Sequence, residues 1–380
     1  MLCGFGIVIL TTQFLGADGR GHVGLLVASF NICMMVTQFV GGPSIIALSL
    51  KVSPATFLFP AYLLSTILGL LVAVCFYLLG ICSYQDAIHI FFLSIALSWT
   101  AYHQFLMLGI NKPVWANELQ AIQYTLLLVI ATCGFLFCQA EYGIYVIATY
   151  FAYFATLFWS AFRLKAILTN LSWKLDGQII SLLLKKGLNS QVSNLLQFIN
   201  YRFSFYAIAY LLSKADVGIF SVSVALAESI WILGKSIAQV HIAEVASSCN
   251  STIELQRTYT LTLRSLLLTL AGLIVLLALP SSLFQLVFGN GFAASHQLIW
   301  WLSPGILALS GQMVLSHYFS GKGIFKYNNW AALAGLFVTI CLNLWLIPLL
   351  GLKGAALASS CSYLVSTLVL WVCFINYRNV

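Results

Sequence analysis

Apolar runs of about twenty residues, broken by short turns bearing Gly, Pro, Asn or charge, follow one another along almost the whole chain. At 1.5 Å rise per residue, a helix of that length is what roughly 30 Å of hydrocarbon demands. Composition agrees: 61% of the 380 residues are apolar and 7% charged, with mean hydropathy +0.99, where a soluble domain carries about 25% charge. The fold class is therefore all-α, a polytopic membrane protein. The net charge of +8 does not point to nucleic acid, because basic residues flanking apolar spans report topology.

The runs predict twelve transmembrane helices, near 1–14, 23–48, 56–80, 87–109, 115–138 and 142–162, then 188–212, 217–242, 260–280, 294–320, 327–349 and 353–376. Loops are short apart from 163–187, 243–259 and 281–293. With a cytoplasmic N-terminus, twelve basic residues, among them Lys112, Arg163, Lys322 and Lys326, fall inside, and only Arg20, Lys214 and Lys353 fall outside. That bias sets the orientation, and an even helix count puts both termini in the cytoplasm. The first helix is short: fourteen residues cover about 21 Å, which suggests a true start upstream of Met1. No cleavable signal peptide is legible, since the first apolar run leads into Leu15-Gly16-Ala17-Asp18-Gly19-Arg20 rather than a small-x-small site. The ten cysteines form no CxxC pair and no metal-spaced cluster with His, so no metal and no cofactor is expected; Cys82 and Cys138 fall near the outer face. The sequons Asn170-Leu171-Ser172 and Asn250-Ser251-Thr252 fall on the cytoplasmic side, where chance explains them.

Two internal matches divide the chain. Leu15–Gly24 resembles Leu212–Gly218, and matching Gly24 to Gly218 sets Met34 opposite Glu228, Val8 opposite Arg202 and Gly41 opposite Lys235. The pattern H-x-F-x(3)-G-I-x-K occurs at His103–Lys112 and again at His317–Lys326. A six-helix repeat, with the same orientation in each half, satisfies both. The expected organisation is an N-terminal lobe over 1–165, a cytoplasmic linker over 166–187 and a C-terminal lobe over 188–380.

Arg202, Glu228 and Lys235 lie inside spanning segments, where a charge costs about 2.5–3.5 kcal/mol and normally faces a partner or a water-filled path. Arg202 and Glu228 fall at matching depths on sequential antiparallel helices; Lys235 is seven residues beyond Glu228, on the same face. Gln239 continues that stripe, and Asn194, Gln197, Tyr201 and Ser204 form another. Arg202 and Glu228 read either as a buried pair that holds a lobe together or as half of an anion site. In either case a second cation, Lys235, remains. Arg202 suits bidentate phosphate recognition; Lys235, Glu228, Gln197 and Gln239 complete the candidate binding set. His103 and His317, at equivalent inner-third positions of the repeat, read as helix-to-helix hydrogen bonders or as a proton-sensitive gate. Pro304 falls inside a helix and frees a carbonyl. Trp231, one turn from Glu228, packs or stacks on a sugar. Most other tryptophans fall near span ends, as interfacial belts.

The turn Leu15–Leu26, the stretch Gly187–Glu228, Trp301-Leu302-Ser303-Pro304-Gly305 and the C-terminal run Leu342–Ala356 resemble bacterial O-antigen-type polysaccharide-unit flippases of the multidrug/oligosaccharidyl-lipid/polysaccharide (MOP) exporter superfamily. The resemblance spans nearly the whole chain. It implies two six-helix lobes around a central cavity, working by alternating access in the bacterial cytoplasmic membrane. The implied cargo is an oligosaccharide on undecaprenyl pyrophosphate, a precursor of O-antigen or related lipopolysaccharide, carried from inner to outer leaflet. A polysaccharide polymerase and a chain-length regulator are the implied partners, beside membrane lipid. A drug or organic-cation antiporter of the same superfamily is the alternative, although it calls for net acidic cavity residues. A membrane polysaccharide polymerase is a third reading, disfavoured by the short outer loops. No carboxylate pair, Ser/His/Asp set or phosphate-cradling Gly loop is present, so an enzyme is not expected.

Overall fold

A computed structural model of the protein describes residues 2–39, 44–49, 52–138, 140–168, 176–247 and 251–378. Among them every regular element is helical: α1 (Leu2–Thr37), α2 (Ser44–Ser49), α3 (Pro54–Leu78), α4 (Tyr84–Gly109), α5 (Pro113–Phe137), α6 (Tyr142–Arg163) and α7 (Lys165–Leu168). Then come α8 (Gly177–Leu211), α9 (Lys214–Ser247), α10 (Ser251–Ala278), α11 (Ser281–Phe288), α12 (Ala294–Gly321), α13 (Phe325–Leu350) and α14 (Leu352–Arg378), with a single 3₁₀ turn at Asn290–Phe292. Ten of these helices are long and apolar enough to cross a membrane, and the chain is a multi-pass membrane protein. The ten and the expected twelve reconcile at two helices. α1 holds two segments joined at Gly16, whose φ of 65° and ψ of −168° break the helical path. α8 is helical but carries Lys185, Gln191, Asn194, Gln197, Asn200 and Arg202, polar enough to mask its apolar character.

Local chemistry sets the ends. Pro54 and Pro113 open α3 and α5 at the position where a missing N–H is harmless. Ser83 and Ser213 cap their helices alike: each hydroxyl accepts the N–H of the residue three ahead, Asp86 or Asp216, and donates to that residue's carboxylate. The segment after Gly16 is helical, not an extended outer turn. The expected loops are mostly helical too: α9 runs on to Ser247, α10 begins at Ser251, and α11 with the 3₁₀ turn fills 281–293. The second half of the expected 166–187 linker is already α8. Asn170-Leu171-Ser172 and Asn250 lie outside the described residues.

The chain clusters into two compact units: Met1–Leu15 with Leu25–Leu195, and Gly16–Gly24 with Leu196–Val380. The first has a core around Ile45, Phe57, Leu58, Tyr102, Leu106 and Leu119, against which Trp99, Trp115 and Trp159 pack. The second packs α12 against α9 and α14, with an aromatic cluster of Tyr318, Phe319 and Phe374 at one end.

Both repeat matches shift register. Within the second unit, Gly21 and Gly218 cross reciprocally: a Cβ on Gly21 would strike the Lys214 carbonyl, and one on Gly218 the Ala17 carbonyl. This pairs Gly21, not Gly24, with Gly218. Asn31 then corresponds to Glu228, Gln38 to Lys235 and Phe5 to Arg202. At the other match, Asn111 (φ 59°) and Gly323 (φ 73°) hold the same left-handed position after α4 and α12. Each is followed by a residue whose N–H reaches back to a helix carbonyl, Lys112 to Met107 and Ile324 to Phe319. The turns differ by two residues from the sequence match, about 200° around a helix. His103 and His317 are therefore not equivalent.

Candidate functional site

The charged pair lies in the second unit. Arg202 on α8 meets Glu228 on α9 side-on, with Nη1–Oε1 at 2.9 Å and Nη2–Oε2 at 3.1 Å. That is the two-pronged geometry in which Arg binds carboxylate most strongly. The guanidinium also lies 5.6 and 5.3 Å from the ring centroids of Phe198 and Phe205. The side chains keep 20% and 26% of their exposure, so the pair stands at the edge of the packing. Tyr201 packs edge-on against Trp231 and Tyr363, with ring centroids 5.0 and 5.5 Å apart. Trp231 is thus a packing residue in this structure.

The opposite side of α8 carries a chain of amide contacts. Gln312 on α12 donates to the Gln197 Oε1 at 3.3 Å and accepts from Thr367 on α14 at 3.4 Å. Asn200, 1% exposed, accepts from Thr339 on α13 and from Ser362 on α14 at 2.7 Å. Ser204 and Ser359 lie 3.1 Å apart. Gly335 lets this cluster close, because a Cβ there would collide with Ser366. At Pro304, the Ser360 hydroxyl enters the helical ladder of α12: it accepts the Gly305 N–H at 3.3 Å and donates to the Trp301 carbonyl. The broken ladder is re-satisfied from the neighbouring helix. Gly305 permits the approach, since a Cβ there would meet the Ser360 backbone.

Lys235 and Gln239 are exposed, and Lys235 has no ion-pair partner among the described residues. Counted from the start of α9, Lys235 lies about 32 Å along the helix and Glu228 about 21 Å. Lys235 therefore stands near the far edge, measured from the start of α9, of a hydrocarbon layer of about 30 Å. On α12, which packs against α9, the His317 Nδ1 is engaged by the Met313 carbonyl at 2.8 Å. His103 is elsewhere, in the first unit and 2% exposed. The Tyr62 hydroxyl engages its Nε2 and the Ser160 hydroxyl its Nδ1, each at 2.5 Å. It ties α3, α4 and α6 together. The structure thus joins Arg202 to Glu228, carries Lys235 and His317 on the packed helices α9 and α12, and has His103 in the first unit.

Sequence reasoning missed a cluster where the end of α9, the start of α10 and the end of α12 meet. Glu254, 4% exposed, pairs with Lys322, and Arg257 pairs with Glu244 at 2.5 Å. His241, 1% exposed, meets Thr258 through Nε2 at 2.8 Å and Glu244 through Nδ1 at 3.5 Å. Reading 243–259 as a loop separated these groups; continuing both helices would have faced them. Among the described residues no group of His, Cys, Asp and Glu is arranged to hold a metal ion.

No protein-family model matches the chain, and no curated protein matches it in sequence. The fold does match. An inward-facing multidrug-resistance MATE-family transporter of the MOP superfamily superposes with TM-score 0.75 at 15% identity, over 99% of this chain and 94% of that one. The lipid II flippase MurJ, in an inward closed conformation, gives 0.75 at 13% identity, over 98% and 86%. The MATE transporter DinF-BH in complex with R6G gives 0.72 at 16% identity, over 98% and 93%. The chain has the MATE–MurJ fold. In that MATE-like frame, the Arg202–Glu228 pair and Lys235 both belong to the second unit, as do all the amide contacts of α8 with α12, α13 and α14.

Proposed function

We propose that this protein is a transporter that carries a polyprenyl-pyrophosphate-linked oligosaccharide, an O-antigen or related repeat unit, across the bacterial cytoplasmic membrane from inner to outer leaflet. The observation that carries this reading is Lys235, an exposed cation with no acidic partner among the described residues, near one edge of the membrane. The Arg202–Glu228 pair is neutral as it stands, so the charge on offer to a ligand at this side is positive. A pyrophosphate headgroup is drawn to it, and the Arg202 fork can exchange the Glu228 carboxylate for a phosphate of similar geometry. Gln239, exposed on α9, supplies a hydrogen bond to a sugar hydroxyl, and His317 lies on the packed α12, whereas Gln197 is held by Gln312 on the far side of α8 from Arg202. The same fold serves multidrug exporters, and a cation-exporting reading would use a carboxylate other than Glu228, which Arg202 occupies. Both termini are cytoplasmic in this reading, and a polymerase and chain-length regulator act on the product.

The test is complementation of a flippase-deficient strain at matched protein levels. Wild type should restore surface polysaccharide; Lys235→Ala should lose at least several-fold of it, with lipid-linked units accumulating inside. Normal export by Lys235→Ala would remove that residue from the site. Failure of wild type, together with raised resistance to cationic dyes, would favour the drug antiporter.

A further inference from the structure

Arg264 stands where a charge is costly, and among the described residues nothing in the protein offsets it. It lies thirteen residues into α10, within the stretch Glu254–Ala278 that is long and apolar enough to cross a membrane. Its side chain is exposed. Among the described residues it has no ion pair, and no hydrogen bond or ring contact reaches it. The carboxylates around the junction of α9 and α10 are taken, Glu254 by Lys322 and Glu244 by Arg257.

The face that carries Arg264 meets lipid. α10 packs against α9 and α12 and turns its hydroxyls toward them: Thr258, Thr262, Ser265 and Thr269 recur at spacings of three and four and are buried. Thr258 meets His241 of α9 at 2.8 Å, and Ser265 donates to the Ser310 carbonyl of α12 at 3.0 Å. Arg264 lies on the other side of the helix. At about 100° per residue, the exposed Leu267, Leu268 and Val275 all fall within about 60° of it. Depth decides what the guanidinium reaches. From Ala278, where α10 ends, back to Arg264 is fourteen residues, or about 21 Å. A hydrocarbon layer of about 30 Å therefore extends roughly 9 Å past Arg264, toward the start of α10. Helical side chains lean toward the N-terminus of their helix, and a long basic side chain covers most of that distance with its apolar stem. The guanidinium thus comes up to the phosphates at the membrane edge where α10 begins. Its planar fork matches a phosphate with two hydrogen bonds, which a charge left in hydrocarbon lacks.

We propose that Arg264 binds the phosphate of an anionic phospholipid in the leaflet where α10 begins, with an acyl chain lying along Leu267 and Leu268. Charge complementarity selects the anionic class: the guanidinium neutralises its one net charge, whereas a zwitterionic lipid already carries an amine of its own. This site is independent of the transport reading and uses none of its residues.

The experiment uses the full chain with photoreactive benzoylphenylalanine in place of the exposed Leu267, one turn from Arg264. The protein is reconstituted into phosphatidylethanolamine vesicles holding a minor fraction of phosphatidylglycerol, and mass spectrometry of the cross-linked lipid gives the ratio of the two. Phosphatidylglycerol should be enriched about fivefold over the bulk mixture, as expected for one basic residue at a membrane surface. Arg264→Gln should return the ratio to bulk, and Arg264→Lys should keep most of the enrichment. The same reporter at Val275, about 17 Å farther along α10 and in the other leaflet, should read the bulk ratio in every protein. A bulk ratio at Leu267 in the protein with Arg264 intact, or enrichment that survives Arg264→Gln, would overturn the site. Stronger enrichment of an added polyprenyl phosphate than of phosphatidylglycerol would overturn the phospholipid and assign Arg264 to the cargo. A cross-link to a second copy of the chain would overturn it in favour of a protein partner. Arg264→Gln should leave the thermal midpoint in detergent unchanged, and a clear fall would reveal a partner within the protein and overturn the proposal as well. None of these readouts depends on transport.

Discussion

Arg202 and Glu228 are worth more to each other than either is worth to the fold. The carboxylate takes both prongs of the guanidinium, at 2.9 and 3.1 Å, in packing that leaves the two side chains 20% and 26% exposed. Removing one partner strands a charge in a poorly solvated place, which costs on the order of 3 kcal/mol. Replacing both with apolar side chains of similar volume removes the desolvation penalty along with the attraction. The expectation is that Glu228→Ala lowers the unfolding midpoint in detergent clearly, whereas Arg202→Met with Glu228→Leu restores most of the loss. Thermal unfolding of the three variants checks it, and a double variant as unstable as Glu228→Ala would show that the charges hold the fold directly. This pair was readable in the sequence, because ten residues back from one helix end and eleven into the next give matching depth. Asn200 was not picked out, although it lies three residues after Gln197 and four before Ser204, on the same helical stripe. Its importance comes from Thr339 and Ser362, which are more than a hundred residues away and leave no local trace.

Helix ends were where sequence reasoning gave least. The segment 243–259 looks like a polar loop because its charges are dense, yet α9 and α10 use those charges to pair with each other. Hydropathy reports exposure to lipid and says nothing about a helix that continues into water on its own ion pairs. His241 lies beyond the apolar stretch Lys214–Ile232 of α9, and burial holds its pKa below the ordinary histidine value, against the opposing pull of Glu244. The groups that face it are Glu244 on α9, Arg257, Glu254 and Thr258 on α10, and His317 on α12. A histidine with a depressed folded pKa binds its proton more readily when unfolded. Stability is therefore highest above the unfolded value of about 6.5 and falls as pH drops below it. Wild type should lose thermal midpoint between pH 7.5 and pH 5, and His241→Gln should flatten that slope while keeping a partner for Thr258. Parallel slopes in the two proteins would remove His241 from the account.

For the molecule as a whole, the class of fold was legible because a bilayer imposes one length and one hydropathy on every spanning helix. The two-residue and three-residue slips of the repeat were not, since small and aromatic residues recur often enough in such a chain to offer false matches. Only the crossing of Gly21 with Gly218 and the left-handed Asn111 and Gly323 fix the register. Sidedness still rests on the distribution of Lys and Arg, and the native cysteines can report it. Cys138 is exposed in the turn between α5 and α6, and Cys82 lies in the turn between α3 and α4. Both belong to the side that the basic residues avoid. Burial, with the Asp86 carboxylate beside it, pushes the Cys82 thiol up to about 11, so little of it is thiolate at neutral pH, and the thiolate is the reactive form. In intact cells a membrane-impermeant maleimide should label Cys138 at pH 7.5. Cys82 should react far more slowly and gain about tenfold in rate per pH unit through the alkaline range. A cysteine placed at Lys112, in a background lacking the native ones, should label only after the membrane is opened. If Cys138 is protected in intact cells while the Lys112→Cys protein labels from outside, the chain is inverted. Lys235 would then face the outer leaflet, and the proposed direction of transport would fall with it.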